Sequence, residues 1–230
     1  MIAEKLISFL DRNLHQKRII KFLQNKSIKT IVDVGAHKGE FIEYSLALKS
    51  VDKIIAFEPQ KKIFNLLKEK FINNNKINLN NFALDKKVGK KNMKINKMSA
   101  TSTLSVIDQN SLYFKIKNFL LHSKTSVIYE EEIDTVSFDI FFREETFDKN
   151  TLLKIDTEGY ELNVLKGSDQ KIKEIKYILI ENQFAKMYKS VNFKDCHEFL
   201  RKKNFKLIKK FTFPTLHYED RLYINEIKNI

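Results

Sequence analysis

Apolar runs alternate with amphipathic stretches along this 230-residue chain, and the alternation predicts parallel strands joined by helices. Short apolar runs are typical of strands buried on both faces, while apolar residues every three or four positions are typical of helices that cover a sheet. Right-handed crossovers then give an α/β fold, a doubly wound, mostly parallel seven-stranded sheet. The predicted strands are 30–35, 53–59, 76–84, 151–156, 175–181, 205–211 and 220–227, and the predicted helices are 40–50, 61–74, 160–167 and 193–203.

Two segments depart from this alternation. Residues 1–29 have apolar positions at helical spacing and predict an N-terminal helical extension ahead of a domain at 30–230. A helix lying on a membrane surface is the alternative for that extension. Residues from about 100 to 137 are interpreted as an insertion, with 108–124 near the mouth of the site. Short strands are predicted at 89–96 and 101–107, and a longer strand is predicted at 125–139.

Composition favours a soluble, cytoplasmic, globular protein. Apolar residues make up 43% of the chain and charged residues 31%. No apolar run approaches a membrane span, and Glu4, Lys5 and Asp11 interrupt any secretory signal. Because Cys196 is the single cysteine, an internal disulfide and a multi-cysteine zinc site are excluded.

The formal net charge of +13 raises the question of a polyanionic partner. Only five of the 42 basic residues are arginine, the residue that phosphate and base recognition favour. We therefore interpret most of the charge as solvated lysine and regard nucleic acid as an unlikely partner.

The stretch "IVDVGAHKGE" follows the first predicted strand and contains Gly35 and Gly39, two of the five glycines. Glycine permits positive φ and close approach of the backbone to a ligand, and α/β folds bind nucleotides at such turns. A dinucleotide site would read G-x-G-x-x-G, but here His37 stands where the middle glycine would be. Asp33 instead suits a cationic ligand without a pyrophosphate, such as S-adenosylmethionine.

Two further features follow in the order expected for an adenosyl cofactor. Glu58 ends the second strand nineteen residues after Gly39, where a carboxylate typically accepts from ribose hydroxyls. Apolar residues at 82–84 then offer a wall for adenine. The predicted cofactor-binding residues are Asp33, Gly35, Ala36, His37, Gly39, Glu58, Pro59, Phe82, Ala83 and Leu84.

The stretch "LLKIDTEGYELNVLKG" holds a second pair of strand-end carboxylates, Asp156 and Glu158. Carboxylates at this alternate spacing can serve as general base and substrate anchor, and capping of the following helix is the alternative. His37 is the alternative base. The predicted acceptor-binding residues are Ser102, with its neighbours Thr101 and Thr103, together with Lys154 and Glu181.

Taken together, "VDVGAHKGEF", "AFEP", "NFALDKKVG", "STLS" and "KIDTEGYELNVLKG" followed by "ILIE" resemble the FkbM-type methyltransferases over residues 30–182. The resemblance implies a class I, Rossmann-like, S-adenosylmethionine-dependent methyltransferase that acts on hydroxyl oxygens of sugars, glycolipids or polyketides. It places Asp33 and the two glycines at the methionine end of the cofactor and Glu58 at the ribose. It has Asp156 and Glu158 facing the acceptor, which it leaves open.

Two other functions remain as alternatives, an RNA or DNA methyltransferase and a non-catalytic adenosyl-binding protein. Methylation of exocyclic base amines commonly uses an Asn/Asp-Pro-Pro-aromatic segment, but "DTEG" stands in its place. Methylation of cytosine C5 needs a cysteine near that strand, whereas Cys196 lies in a later helix. No spacing signature for a metal is present, so none is predicted, and the oligomeric state is open. Glycan modification is the preferred role on family grounds.

Overall fold

The computed structural model describes residues 10–96, 102–105, 127–183, 193–214 and 218–227. Its strands are β1 (Thr30–Val34), β2 (Lys53–Phe57), β3 (Ile77–Asn80), β4 (Ala83–Leu84), β5 (Gly89–Asn96), β6 (Val127–Val136), β7 (Thr151–Ile155), β8 (Tyr177–Gln183), β9 (Phe205–Thr212) and β10 (Tyr218–Asn225). Its α-helices are α1 (Gln16–Leu23), α2 (Glu40–Ser45), α3 (Lys61–Phe71), α4 (Phe138–Phe141), α5 (Glu161–Gly167) and α6 (Phe193–Lys202).

Seven strands form the main sheet in the order β3-β2-β1-β7-β8-β10-β9. Six of these seven strands run in the same direction, and β10 runs opposite to them. The predicted seven-stranded, mostly parallel α/β sheet is thus confirmed. The strand order reverses between β1 and β7, which lie side by side. Ligands of open α/β sheets bind at the carboxyl edge beside such a switch point. The topology therefore brings the ends of the two sequence motifs together.

Both faces of the sheet are covered, which explains why its central strands read as continuous apolar runs. On one face, Val32 and Ile155 belong to a buried cluster with Leu200 of α6. On the other face, Leu152 of β7 belongs to a second cluster with Ile19 of α1. The N-terminal helix is therefore part of the core.

A buried polar contact also holds the N-terminal segment. His15 lies in a π-helical turn before α1, and its Nε2 atom is 2.6 Å from Oδ2 of Asp220 in β10. None of the helices in the described ranges combines the length and the apolar character that crossing a bilayer requires. Residues 1–9 of the predicted extension lie outside the described part of the chain.

A second sheet, in the order β4-β6-β5, interrupts the α/β alternation as predicted for this part of the chain. The strand predicted at 89–96 is confirmed as β5, and the strand within 125–139 is β6. In the segment predicted as a strand at 101–107, Thr103 forms an isolated bridge with Lys94 of β5. Residues 108–124, which were predicted to lie near the mouth of the site, are outside the described residues.

The prediction of one strand over 76–84 is wrong, because the chain changes sheet after Asn80. The side chain of Asn81 donates to the carbonyl oxygens of Glu58 (2.9 Å) and Pro59 (3.0 Å), which turns the backbone away from the main sheet. Ala83 and Leu84 then pair with β6 in the second sheet.

Several predicted boundaries were wrong by a few residues. Helix α2 ends at Ser45 rather than at residue 50, since a turn closes with Leu48 N–H donating to the Ser45 carbonyl. Strand β8 extends to Gln183 because β10 supplies a partner for its last residues. Helix α3 ends at Phe71.

The turn after β1 and the loop after β7 touch through their backbones at Gly35. This residue has φ +87°, and a Cβ atom there would lie 1.9 Å from the carbonyl oxygen of Asp156. A side chain at position 35 would therefore meet both conformational strain and a backbone clash.

We expect Gly35→Ala to lower the free energy of unfolding by about 3 kcal/mol or more, because the two loops would have to separate. Chemical denaturation of the wild type and the variant measures this change. The matched control is Gly89→Ala in β5, where among the described residues a Cβ would meet only Thr135 Oγ1 at 3.9 Å. That change should stay within about 0.5 kcal/mol. Equal stabilities for the two variants would contradict the packing described here.

Candidate active site

The turn between β1 and α2 is held in shape by left-handed residues and by the end of β2. Gly35, His37 and Gly39 have φ values of +87°, +47° and +78°. The N–H groups of Gly35 and Ala36 both donate to the carbonyl oxygen of Phe57, each at 3.0 Å. The predicted cofactor segments at the ends of β1 and β2 are therefore in direct contact.

Both glycines of this turn make room for protein atoms. The approach at Gly35 is to Asp156, and a Cβ at Gly39 would lie 2.5 Å from the ring of Phe71. Ala36 is buried among apolar side chains. The structure thus gives a packing reason for both glycines, whereas the sequence suggested room for a ligand.

Glu58 lies at the junction of the two turns. Its Oε2 atom accepts from the N–H of His37 (2.9 Å), and its Oε1 atom accepts from the N–H of Gln60 (2.8 Å). Burial raises the pKa of Glu58 to about 7, against the opposing effect of these hydrogen bonds. The His37 ring lies near Glu40, with Nδ1 3.7 Å from Oε2 of that residue.

A buried lysine joins the two sequence motifs. Asp33 and Lys154 are register partners in β1 and β7, and Lys154 Nζ lies 3.3 Å from Asp33 Oδ1 and 3.2 Å from Asp156 Oδ2. Burial lowers the pKa of Lys154, but Asp156 and Asp33 outweigh this effect and hold that pKa above its ordinary value. Lys154 is thus directed inward between two carboxylates, whereas the sequence suggested an acceptor-binding group.

Asp33 keeps one carboxylate oxygen without a hydrogen-bond partner. The residue is completely buried, and its Oδ2 atom accepts no hydrogen bond within the described structure. Burial raises the pKa of Asp33, because Lys154 offsets only part of the desolvation of the carboxylate. An unpaired buried acceptor of this kind is a feature that a cationic or hydrogen-bonding ligand would satisfy.

Three carboxylates meet at the carboxyl edge of β7 and β8. One oxygen each from Asp156, Glu158 and Glu181 lies within 4.8 Å of the others. Gln183 Nε2 donates to Glu158 Oε2 (2.8 Å) and to Glu181 Oε2 (3.2 Å). Burial and the neighbouring Asp156 and Glu158 raise the pKa of Glu181 well above its ordinary value. The structure therefore brings together the two predicted catalytic carboxylates and one predicted acceptor-binding residue.

Such a group of oxygens could also hold a hard divalent cation. The sequence predicts no metal, and that expectation stays a prediction.

The loop that carries Asp156 and Glu158 is fixed from within by Glu161. Oε1 of Glu161 accepts from Thr157 N–H (3.1 Å), Thr157 Oγ1 (3.2 Å) and Gly159 N–H (3.0 Å). Burial raises the pKa of Glu161 to about 7. These loop N–H groups thus bind Glu161, but they precede α5 and their pairing does not cap the helix, whose N-cap residue Tyr160 makes no side-chain capping hydrogen bond.

The second sheet also contacts this loop. Tyr160 OH donates to Asp85 Oδ1 (2.8 Å), and Lys91 Nζ lies 2.7 Å from Asp85 Oδ2. The predicted acceptor-binding residue Ser102 is buried beside the loop, and its neighbour Thr103 makes the direct contact. The Thr103 side chain therefore contacts the backbone of the loop that carries the proposed catalytic carboxylates.

The apolar wall predicted for adenine is distributed over three environments. Phe82 is half-buried, with ring centroids 5.4 Å from both Phe57 and Phe141. Ala83 belongs to the core of the second sheet, and Leu84 belongs to the main core. Phe82 keeps the most exposed surface of the predicted three, and the adenine role remains a prediction.

Sequence reasoning missed Asn81, Glu161 and Gln183. Gln183 could have been found, because it lies two positions after Glu181 and strand side chains repeat every second residue. An acidic residue in the first turn of α5 is favoured by the helix dipole, but that signal does not identify Glu161 as a loop support. Asn81 carried no signal beyond its turn-forming character.

Comparison with known proteins gives a family match and several structural likenesses. The family described as "Methyltransferase FkbM domain" matches residues 33–207. A search of curated proteins gives no significant match. A methyltransferase FkbM from Methylobacillus flagellatus KT has a similar fold, with a TM-score of 0.55 and 16% identity over 86% of this chain. This chain spans 44% of that protein's length.

Two other solved structures share the fold at low identity. An uncharacterized protein from Listeria monocytogenes serotype 4b has a TM-score of 0.53 and 9% identity, covering 95% of this chain and 70% of its own. TrmK of M. capricolum, solved with S-adenosyl-homocysteine, has a TM-score of 0.50 and 15% identity. The match covers 94% of this chain and 67% of TrmK. The sheet order and these likenesses identify the Rossmann-like fold of class I methyltransferases. Because the family match extends over most of the chain and includes both carboxylate motifs, the protein belongs to the FkbM family of S-adenosylmethionine-dependent methyltransferases.

Proposed function

We propose that this protein transfers a methyl group from S-adenosylmethionine to a hydroxyl oxygen of a sugar, a glycolipid or a related small molecule. The observation that carries the proposal is the meeting of Asp156, Glu158 and Glu181 at the edge of the sheet. They lie beside the β1 turn, which contacts Asp156 through Gly35. The proposed cofactor site and the proposed acceptor site are thus adjacent.

The residues at the ends of β1 and β2 fit the cofactor. The unpartnered Oδ2 atom of Asp33 is suited to its α-ammonium group, and Glu58 is suited to its ribose hydroxyls. Phe82 offers an apolar surface for its adenine. When bound, S-adenosylmethionine supplies an electrophilic methyl group on a sulfonium. TrmK of M. capricolum shares this fold and was solved with the cofactor product S-adenosyl-homocysteine. Fibrillarin of Aeropyrum pernix also shares the fold and was solved with S-adenosyl-L-methionine itself.

The carboxylates provide a place for the proton of the acceptor. Methyl transfer forms an oxygen–carbon bond and breaks the sulfur–carbon bond in line, so the enzyme mainly positions its reactants. Asp156, about one-third exposed, accepts the hydroxyl proton in this proposal. Glu158 orients the acceptor, and Glu181, whose pKa is raised, allows the group to retain the proton.

The charge of the site favours a neutral acceptor. Three neighbouring carboxylates repel phosphate groups, which supports a saccharide over a nucleic acid. Cys196 is buried in the core, where burial raises the pKa of its thiol, and this location does not suit a nucleophile for cytosine methylation. Glycan modification in the cytoplasm remains our preferred setting.

The acceptor class is tested by incubating the protein with S-adenosylmethionine carrying a tritiated methyl group and with separate saccharide, lipid and RNA fractions. Label in saccharide or glycolipid is expected, and it should persist after treatment with EDTA because no metal is predicted. Label confined to RNA would overturn the acceptor class. Absence of any calorimetric signal with S-adenosylmethionine would overturn the proposed cofactor.

Asp156→Asn should lower methyl transfer by about 100-fold or more, since it removes the proposed base, while cofactor affinity stays unchanged. Turnover in the labelled fraction and calorimetry with S-adenosylmethionine measure the two effects. Asp52→Asn is the matched control, because Asp52 is an exposed carboxylate before β2 that pairs with Lys29. Wild-type turnover in Asp156→Asn would show that the base lies elsewhere, with His37 the next candidate.

Glu58 should make cofactor binding depend on pH. Its folded-state pKa is about 7, so the carboxylate form that accepts from ribose hydroxyls is lost as the pH falls below that value. We therefore expect affinity for S-adenosylmethionine to rise between pH of about 5.5 and 8 and then level off. In Glu58→Gln, affinity at the upper pH should fall about tenfold, and this rise should disappear. Calorimetry with S-adenosylmethionine across this pH range measures both effects. A pH dependence of affinity that persists in Glu58→Gln would show that another group causes it.

A further inference from the structure

We propose that Thr103 and Ser105 are positioning residues for methyl transfer, whose hydroxyl groups hold the Glu158–Gly159 backbone so that Glu158 stays beside Glu181. The inference rests on the proposed function, because it gives these two hydroxyls a task in the same site. It adds Ser105 to that site and gives Thr103, predicted from the sequence as an acceptor-binding neighbour of Ser102, a positioning task instead.

The hydroxyls act directly on the backbone of the loop. Thr103 Oγ1 donates to the carbonyl oxygen of Glu158 at 2.7 Å, and Ser105 Oγ donates to the carbonyl oxygen of Gly159 at 2.6 Å. Thr103 Oγ1 also accepts from the N–H of Ser105 at 2.9 Å. The Thr103 side chain thus both donates and accepts, which fixes the direction in which its hydroxyl donates.

The two hydroxyls are themselves anchored to the second sheet. Thr103 is completely buried and exchanges two backbone hydrogen bonds with Lys94 of β5, at 3.1 and 3.2 Å. A continuous series of hydrogen bonds therefore runs from β5 through Thr103 to Glu158. The insertion reaches the active site as a structural support as well as a neighbour.

Glu158 needs such support for two reasons. Its φ of +53° lies in the left-handed region, which is strained for a residue with a Cβ. Its carboxylate also lies close to those of Asp156 and Glu181, and like charges at this separation repel. Both effects favour a shift of the Glu158–Gly159 peptide, and the two hydroxyl donors oppose that shift.

The N–H side of the loop is fixed independently. Glu161 accepts from the N–H groups of Thr157 and Gly159, whereas Thr103 and Ser105 bind carbonyl oxygens. Removing a hydroxyl should therefore loosen one side of the loop while the other side stays paired. The expected result is a displaced Glu158 in a folded protein.

The position of Glu158 can be read from the titration of Glu181. Burial raises the pKa of Glu181 most, and the facing carboxylates raise it further: Asp156, Glu158 and Glu161 from the loop and α5, and Asp220 from β10. If Glu158 moves away, the pKa of Glu181 should fall towards its ordinary value. Carbon-13 NMR of the glutamate side-chain carboxyls measures this pKa, with the Glu181 signal assigned from Glu181→Gln.

Thr103→Val removes the hydroxyl at nearly constant volume, and Thr103→Ser retains it. Thr135→Val is the matched control, because buried Thr135 of β6 donates to the carbonyl oxygen of Lys87 at 3.2 Å, and Lys87 is not part of the Glu158–Gly159 loop. We expect Thr103→Val to lower the pKa of Glu181, while Thr103→Ser and Thr135→Val leave it unchanged. An unchanged pKa in Thr103→Val would overturn the proposal. Ser105→Ala repeats the test and replaces Thr103→Val if that variant does not fold.

Steady-state kinetics give the second readout, with the fraction that the wild-type protein methylates as the acceptor. In Thr103→Val, kcat should fall at least about tenfold while KM for S-adenosylmethionine stays the same, with Thr103→Ser close to wild type. A loss of kcat no larger than in Thr135→Val would overturn the positioning role. If the wild type labels nothing, the proposed function fails, and the NMR measurement still decides whether the hydroxyls position Glu158.

Discussion

The ion pair that Lys154 makes with Asp33 and Asp156 is the interaction on which the rest of the site depends. Two carboxylates on adjacent buried strands would repel each other strongly in a medium of low dielectric constant, and the lysine between them removes that repulsion. It also links the two halves of the site, because Asp33 belongs to the β1 motif and Asp156 to the β7 motif. Loss of Lys154 would leave both carboxylates without a counter-ion, and Asp33 would then be an uncompensated buried charge.

The backbone contact at Gly35 complements this ion pair. The lysine fixes the side-chain charges, while the absence of a Cβ at Gly35 lets the two loops approach to contact distance. Glu58 extends the same arrangement to β2 through the N–H of His37. The ends of β1, β2 and β7 are thereby held together by the Lys154 ammonium group, by the close approach that Gly35 permits and by the Glu58 carboxylate.

Much of the architecture could be predicted because it depends on local periodicity. The apolar runs at β1, β2 and β7 identified buried parallel strands, and the pairing of β1 with β7 follows the switch point of a doubly wound sheet. The side-chain direction of Lys154 could not be predicted, because a sequence pattern places a residue on a strand but not the path of a long side chain. The hydroxyl contacts of Thr103 could not be predicted either. They join segments that are distant in sequence, and such contacts leave no periodic pattern of residues. Ala83 and Leu84 looked like the end of β3 because a change of sheet leaves the apolar pattern intact.

The contact between His15 and Asp220 has a consequence for where this protein can be divided. The family match covers 33–207, and both residues of this contact lie beyond it. A polypeptide cut to those limits would lose α1 and β10 together. It would expose the apolar face that α1 covers and leave β8, which carries Glu181, as an open sheet edge prone to intermolecular pairing. The smallest piece able to fold around this site therefore extends past the homologous segment at both ends.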